Sequence, residues 1–393
     1  MALSDQQIQT LARDALQRAT AGDFAGAEPL FAQVVEARPN SGQVLHLLGQ
    51  VRLKLGRFAE AREPLARAAK FLPKEPAAQI NLAGCLTVLG EHDAALEALD
   101  RAAQLSPGNA VIYHNKGRAF EALGRADDAE RAYDQALSLD HRLLPSLSAR
   151  AGLLASRGDP MGALADLDMA LTARPDDAAL RLRRGELLMR QGDWLRGLGD
   201  YEARLEIPGE RYTPELPRWQ GEPLTGRLLI YPEQADIESD SAIRDTLMLA
   251  RGIEATVECP ARLGEWLDGP SIRRGDSLEG FAAAAPLRSL PHLLGWTLDA
   301  LPPPPPLQLK ATPDRRSGYF TTAEVPAPGG QIERDPAFVA LCSTVTGDDV
   351  WPVHLAARLG IPTRAVLASA SDRDWLWGPR SGPSPWYASL EVC

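Results

Sequence analysis

The stretch GEHDAALEALDRAAQLSPGNAVIYHNKGRAFEALG, Gly90–Gly124, opens and closes on glycines 34 residues apart and decides the fold of the first half of the chain. The same glycine recurs outward from it at Gly22, Gly56, Gly158 and Gly192. Pro39, Pro73, Pro107 and Pro175 keep the same period, with His141 in the one missing place. Ala27, Ala61, Ala95, Ala129 and Ala163, then Gly197, form a third series, and Gly49, Ala83, Gly117, Ala151 and Gly185 a fourth. Each series has a mechanical reason. The small residue inside a first helix admits a closely packed second helix, the glycine breaks the chain between the two, and the proline ends the second.

Large apolar residues fill the remaining positions, among them Leu45, Leu65, Leu99, Tyr133, Leu167 and Tyr201. Every unit is then a helical hairpin that cannot bury its face alone and must stack on its neighbours. Because several independent position classes share one period, the pattern resembles the tetratricopeptide repeat, with about six units across residues 1–204. The resemblance implies a helical superhelix with a groove lined by first helices. His46, Asn81, His114 and Asn115 fall at its peptide-facing positions. In the O-linked N-acetylglucosamine transferases, which this chain resembles, asparagines at that position grip the backbone of an extended protein substrate. An amide offers both a donor and an acceptor to a peptide bond of any sequence. The lysine and arginine set of a chaperone-tail carboxylate clamp is absent.

The chain has 393 residues with 45% apolar content, enough for more than one core. A net charge of -10 argues against nucleic acid and anionic membranes as general partners. Cys85, Cys259, Cys342 and Cys393 are scattered with no metal-ligand spacing, so no metal and no cofactor are expected. No signal-like or spanning apolar stretch is present, which leads to the expectation of a soluble, cytoplasmic protein.

Beyond residue 204 the period stops. A Pro- and Gly-rich connector, 205–225, leads into GRLLIYPE, SAIRDTLMLARG, IEATVECP and ARLGEWLD, which read as strand, helix, strand and helix. That alternation predicts an α/β domain with a parallel sheet. The order PRWQGEPLTGRLLIYPEQ, PLRSLPHLLGWTLDALPPPPP, VHLAARLGIPTRAVL, DRDWLWG and SPWY resembles bacterial tetratricopeptide proteins with a C-terminal glycosyltransferase domain. That family is similar to heptosyltransferases and includes flagellin glycosyltransferases. The resemblance implies a truncated two-lobed B-type fold: a Rossmann-like first lobe at 226–310, a loop and hinge at 311–334, and a remnant of the nucleotide-sugar lobe at 335–393.

In the family the loop after the first strand carries two glycines and an aspartate. This chain keeps Glu233 and Gln234 but has Ala235 and Ile237 in place of the glycines, and Glu238 is the nearest equivalent of a catalytic base. Glycines let backbone N–H groups approach a ligand, whereas Asp236, Glu238 and Asp240 repel a diphosphate. Gly347, Asp348, Asp349 and His354 fit the remnant of the donor site. The resulting expectation is a protein-interaction adaptor or regulator with an inactive glycosyltransferase-like domain, linked to protein (flagellin) glycosylation. Its expected partner is a protein client in the groove, either a protein destined for glycosylation or a full-length transferase of the family. The alternative is an active protein O-glycosyltransferase using a nucleotide-sugar donor.

Overall fold

A computed structural model describes residues 3–209, 211–237, 239–250, 253–264, 269–297 and 300–302, and four short strands further on, at 345–347, 363–365, 382–383 and 390–392. The first half is a run of helices: α1 (Asp5–Thr20), α2 (Phe24–Ala37), α3 (Gly42–Lys54), α4 (Phe58–Phe71), α5 (Pro76–Val88), α6 (His92–Leu105), α7 (Ala110–Ala122), α8 (Ala126–Leu139), α9 (Leu144–Ser156), α10 (Pro160–Ala173), α11 (Ala178–Arg190) and α12 (Trp194–Tyr201).

Each hairpin turns on its glycine. Gly22, Gly56, Gly90, Gly124, Gly158 and Gly192 all have φ between 71° and 88°, a region that costs an L side chain free energy. The residue after each donates its amide to the carbonyl five places back, as in Asp23 to Arg18, Glu91 to Leu86 and Arg125 to Phe120, each 2.9 Å. This bond closes the first helix and turns the chain into the second. The prolines fall two residues past the ends of α2, α4, α6 and α10.

The small residues sit beneath the large ones. A Cβ on Gly49 would lie 2.4 Å from Leu65 Cδ2, and one on Gly117 would lie 2.4 Å from Tyr133 Cε1. At Gly185 backbone itself is close, with Tyr201 N at 2.7 Å from such a Cβ. Buried apolar residues then link one hairpin to the next: Ala15, Phe31, Leu48 and Val51 form one cluster drawn from α1, α2 and α3.

The chain divides into two compact units, Met1–Ala173 and Arg174–Cys393. The repeat period runs on into the second unit. There the sixth hairpin, α11 and α12, shares one core with a sheet: Met189, Trp194, Leu198 and Tyr201 pack with Leu228, Ile230, Leu247, Ala285 and Trp296. A 3-10 turn, Glu202–Leu205, ends the helical run.

The sheet contains β1 (Arg227–Tyr231), β2 (Thr256–Glu258), β3 (Ser271–Ile272) and β4 (Phe281–Pro286), in the order β3-β2-β1-β4 with every pair parallel. Helix α13 (Asp240–Leu249) connects β1 to β2, and α14 (Ala261–Gly264) follows β2. After β4 the chain makes a 3-10 turn, Leu287–Ser289, and the short helix α15 (Leu290–Leu293). The alanine run of β4 carries no strand signal in the sequence. It becomes a strand because small side chains suit a position where Ala283, Ala284 and Ala285 are buried and β1 supplies hydrogen-bond partners. The connector does more than join domains. Trp219 N donates to Ala284 O and Ala284 N to Pro217 O, both 2.8 Å, so it covers the open edge of β4.

Further along, β5 (Val345–Gly347), β6 (Thr363–Ala365) and β8 (Leu390–Val392) pair in parallel, and β7 (Gly382–Pro383) adds antiparallel to β8. Among the described residues no helix is long and apolar enough to cross a membrane.

The same change should have opposite signs at two helical glycines. Gly117→Ala forces a methyl into the Tyr133 ring and should destabilise the array by about 1–3 kcal/mol. Gly152→Ala, where a Cβ meets nothing within 4 Å, should stabilise it by about 0.5–1 kcal/mol. Urea unfolding followed by helical circular dichroism measures both.

Candidate functional site

In the first unit the first helices of successive repeats touch one another, α3 with α5, α5 with α7 and α7 with α9, and so form a continuous face. Polar side chains bridge this face across repeats. Asn81 Nδ2 lies 2.6 Å from His46 Nε2, so a donor amide requires an unprotonated acceptor nitrogen on His46. His114 Nδ1 lies 3.1 Å from the hydroxyl of the buried Ser146, joining α7 to α9. The His114 ring also stacks obliquely on Tyr133, with centroids 5.8 Å apart. Asn115, one residue on, makes no side-chain hydrogen bond to another described residue and keeps both ends of its amide available. His46, Asn81, His114 and Asn115 therefore share one face, with Asn81 engaged and Asn115 open.

Both imidazoles are held neutral. Burial lowers His46 from its ordinary value, against the opposing pull of Glu75 and a hydrogen bond to the Ala77 backbone. Burial, helped by the nearby Arg118 guanidinium, lowers His114 to about 4. Arg118 stands out in no repeat series of the sequence. It lies four residues after His114, on the same helical face, and that spacing was the available signal.

The remaining cations of the array mostly face acids. Lys116 bonds Asp100 at 2.7 Å, and Arg150 is held between Asp134 at 2.5 Å and Asp166 at 2.7 Å. Arg52 pairs with Glu28 at 2.9 Å. These pairs join neighbouring helices, which makes them fixtures of the stack.

The second polar constellation lies at the carboxyl edge of the parallel sheet, where ligands of open α/β sheets bind. Glu233 and Gln234, which follow β1, are both engaged there. Arg204, 5% exposed, approaches Glu233 at 3.2 Å, bonds Glu202 at 2.6 Å and donates to Ser289 Oγ at 2.8 Å. Burial opposes the Arg204 charge, but Glu233 and Glu202 outweigh it and keep its pKa above the ordinary value. Gln234 donates to Asp245 at 2.8 Å, and Asp245 accepts from Arg288 at 2.7 Å. Arg274 fastens the loop itself, donating to the carbonyls of Pro232, Gln234 and Ala235 at 2.9, 2.6 and 2.8 Å and to buried Glu258 at 2.7 Å. Burial, with Glu233 nearby, pushes Tyr231 up to about 12. The loop thus presents its carbonyls to an arginine from beyond β3, and its two family-matching side chains close internal ion-pair networks.

An open cleft of about 670 Å³ lies at the opposite, amino edge of the same sheet, lined by Trp219, Leu224, Arg227, Ile253 and Thr256 among others. It is remote from the carboxyl-edge chemistry. Glu238, Asp348, Asp349 and His354 lie outside the described residues, as do Trp375, Trp377, Trp386 and Tyr387. Gly347 is the last residue of β5, opposite Ala365.

Sequence profiles of the tetratricopeptide repeat family match residues 18–84, 75–141 and 148–210. The chain therefore carries tetratricopeptide repeats across residues 18–210, a class of helical array that typically binds protein partners. No curated protein matches the chain. Among solved structures it is similar to a thermophilic tetratricopeptide protein of Thermus thermophilus, with 27% identity over 46% of this chain and 99% of that one and a TM-score of 0.40. It is also similar to the MamA protein, with 24% identity over 44% and 94% and a TM-score of 0.39. A repeat protein from Parabacteroides merdae gives 21% identity over 52% and 81%, with a TM-score of 0.45.

Two outcomes follow from these environments. A neutral native His114 with a pKa near 4 means that the unfolded chain binds more protons below its ordinary 6.5. Stability contributed by His114 is present above pH 6.5 and is lost as pH falls towards 4. The melting temperature of His114→Gln should fall less than that of the wild type over this window, a comparison in which the shared carboxylates cancel. Removing the guanidinium in Arg204→Ala leaves Glu233 buried without it, while Glu202 keeps Arg218, and should destabilise the second unit by about 3–5 kcal/mol, read by denaturant unfolding with tryptophan fluorescence.

Proposed function

We propose that this protein is an interaction adaptor or regulator whose repeat array holds an extended segment of a protein client along the face of α3, α5, α7 and α9. The observation that carries this reading is the alignment of His46, Asn81, His114 and Asn115 on first helices that meet one another. Asn115 offers a free donor and a free acceptor to a peptide backbone, and Asn81 retains its carbonyl oxygen while its amide nitrogen engages His46. Such contacts read the backbone and leave side-chain selection to neighbouring groups. Asn81→Ala together with Asn115→Ala should weaken client binding at least ~10-fold if each amide supplies about 1 kcal/mol. Surface plasmon resonance with the full chain measures this, and unchanged affinity would remove the groove from the binding site.

The second half is, in our reading, a glycosyltransferase-like scaffold, a Rossmann-like lobe followed by a remnant of the donor lobe, that acts without catalysis on a client destined for glycosylation, flagellin being the client class the resemblance suggests. The engagement of Glu233 by Arg204, of Gln234 by Asp245 and of the loop carbonyls by Arg274 supports this. A transferase needs donors aimed at the leaving diphosphate and a positioned base, whereas the loop after β1 turns carbonyls and carboxylates inward. Calorimetric titration with nucleotide-diphosphate sugars should show no binding in the micromolar range. Micromolar binding abolished by Asp349→Ala with His354→Ala would favour the active transferase instead.

A further inference from the structure

Arg118 differs from the cations around it. It is exposed on α7, one helical turn after His114 and three residues after Asn115, on the face that the client is proposed to occupy. No carboxylate among the described residues pairs with it, although Lys116 two residues earlier and Arg150 on the next first helix are both engaged by aspartates. Glu121, on the same helix, accepts instead from the Tyr133 hydroxyl. The neighbouring imidazole of His114 is neutral, so it supplies neither a counter-charge nor a competing cation.

The two residues one repeat away on either side, Gly84 and Gly152, have no side chain, and a Cβ built on either meets nothing within 4 Å. The guanidinium therefore stands between two open stretches of helix surface. In a chain of net charge -10, an exposed cation on the inner face gives a local preference that the overall field opposes.

Building on the groove reading above, we propose that the client segment carries an aspartate or glutamate that pairs with Arg118, flanked by large side chains seated over Gly84 and Gly152. An arginine binds a carboxylate through two parallel N–H···O bonds, which fixes the register of the segment as well as adding affinity. Packed helices lie ~8–10 Å apart and an extended chain rises ~3.3 Å per residue, which puts each flanking side chain about three residues from the acid. Asn115 then meets the backbone beside the acidic residue.

The test is a display library of random twelve-residue peptides panned against the full chain, with affinities of the enriched peptides measured by fluorescence anisotropy. Enriched peptides should share one acidic residue with large residues about three places to either side. Changing that acid to its amide should weaken binding ~10- to 100-fold, as expected for a charge-assisted hydrogen-bonded pair. Arg118→Gln should give the same loss, and the two changes together should cost no more than either alone. Arg118 is exposed, and circular dichroism checks that the variant is folded.

If the enriched peptides lack an acid and bind Arg118→Gln as tightly as the wild type, yet lose affinity to Asn81→Ala with Asn115→Ala, the pairing is wrong and the groove stands. If they are indifferent to all three substitutions, or if nothing is enriched, both readings fall.

Discussion

The array depends on one backbone constraint repeated at every hairpin: a glycine in the left-handed region followed by an amide bonded five residues back. Only glycine enters that region without a steric penalty, so the turn fixes where each first helix stops and how the second returns. Return geometry decides which residues face each other. Leu65 comes down on Gly49 and Tyr133 on Gly117, at distances that leave no room for even a methyl group. Once every hairpin has the same internal geometry, the first helices stack in register. That register lets His46 reach Asn81 and His114 reach Ser146, residues a repeat apart in sequence.

Stacking also sorts the charges. Lys116, Arg150 and Arg52 are placed between helices where acids meet them, so their charges serve the joints between repeats. An exposed position on the inner face has no such neighbour, and Arg118 sits there. Pairing elsewhere thus leaves this face nearly neutral, with two unprotonated imidazoles, amide groups and an exposed guanidinium. Such a surface suits recognition of an extended backbone with a limited choice of side chains.

In the second unit, buried Arg204 and half-buried Arg274 organise the carboxyl edge of the sheet. Arg204 and Arg274 reach this edge from outside the β1 loop and bind Glu233 and the carbonyls of Pro232, Gln234 and Ala235. A buried guanidinium requires carboxylates and carbonyls around it, and the loop after β1 supplies them. Four parallel strands and a ligand-style loop position are therefore compatible with a structural role for the residues found there.

The glycine, proline and small-residue series were legible from sequence because each acts through local geometry: a φ angle, a missing amide or a missing side chain. The strand β1 (Arg227–Tyr231) and the helix after it were legible from the apolar run of GRLLIYPE and the segment SAIRDTLMLARG that follows it. The alanine strand Phe281–Pro286 was not, since alanine has no preference for a sheet and the hydrogen bonds that make it one come from β1 and from Pro217 and Trp219. The candidate site divides in the same way. Period placed Asn81 and Asn115 at one repeat position and His46 and His114 at the position before it, but which amide is engaged and which is open depends on side chains in the adjacent repeat. Sequence by itself determined the repeat unit and its stacking, because every unit writes the same local instructions. Tertiary structure alone decided which polar groups satisfy one another. Glu233 and Gln234 read as family-matching loop residues until Arg204, Asp245 and Arg274 are brought against that loop from 29, 11 and 40 residues away. Partnerships over such separations arise only when the core has closed.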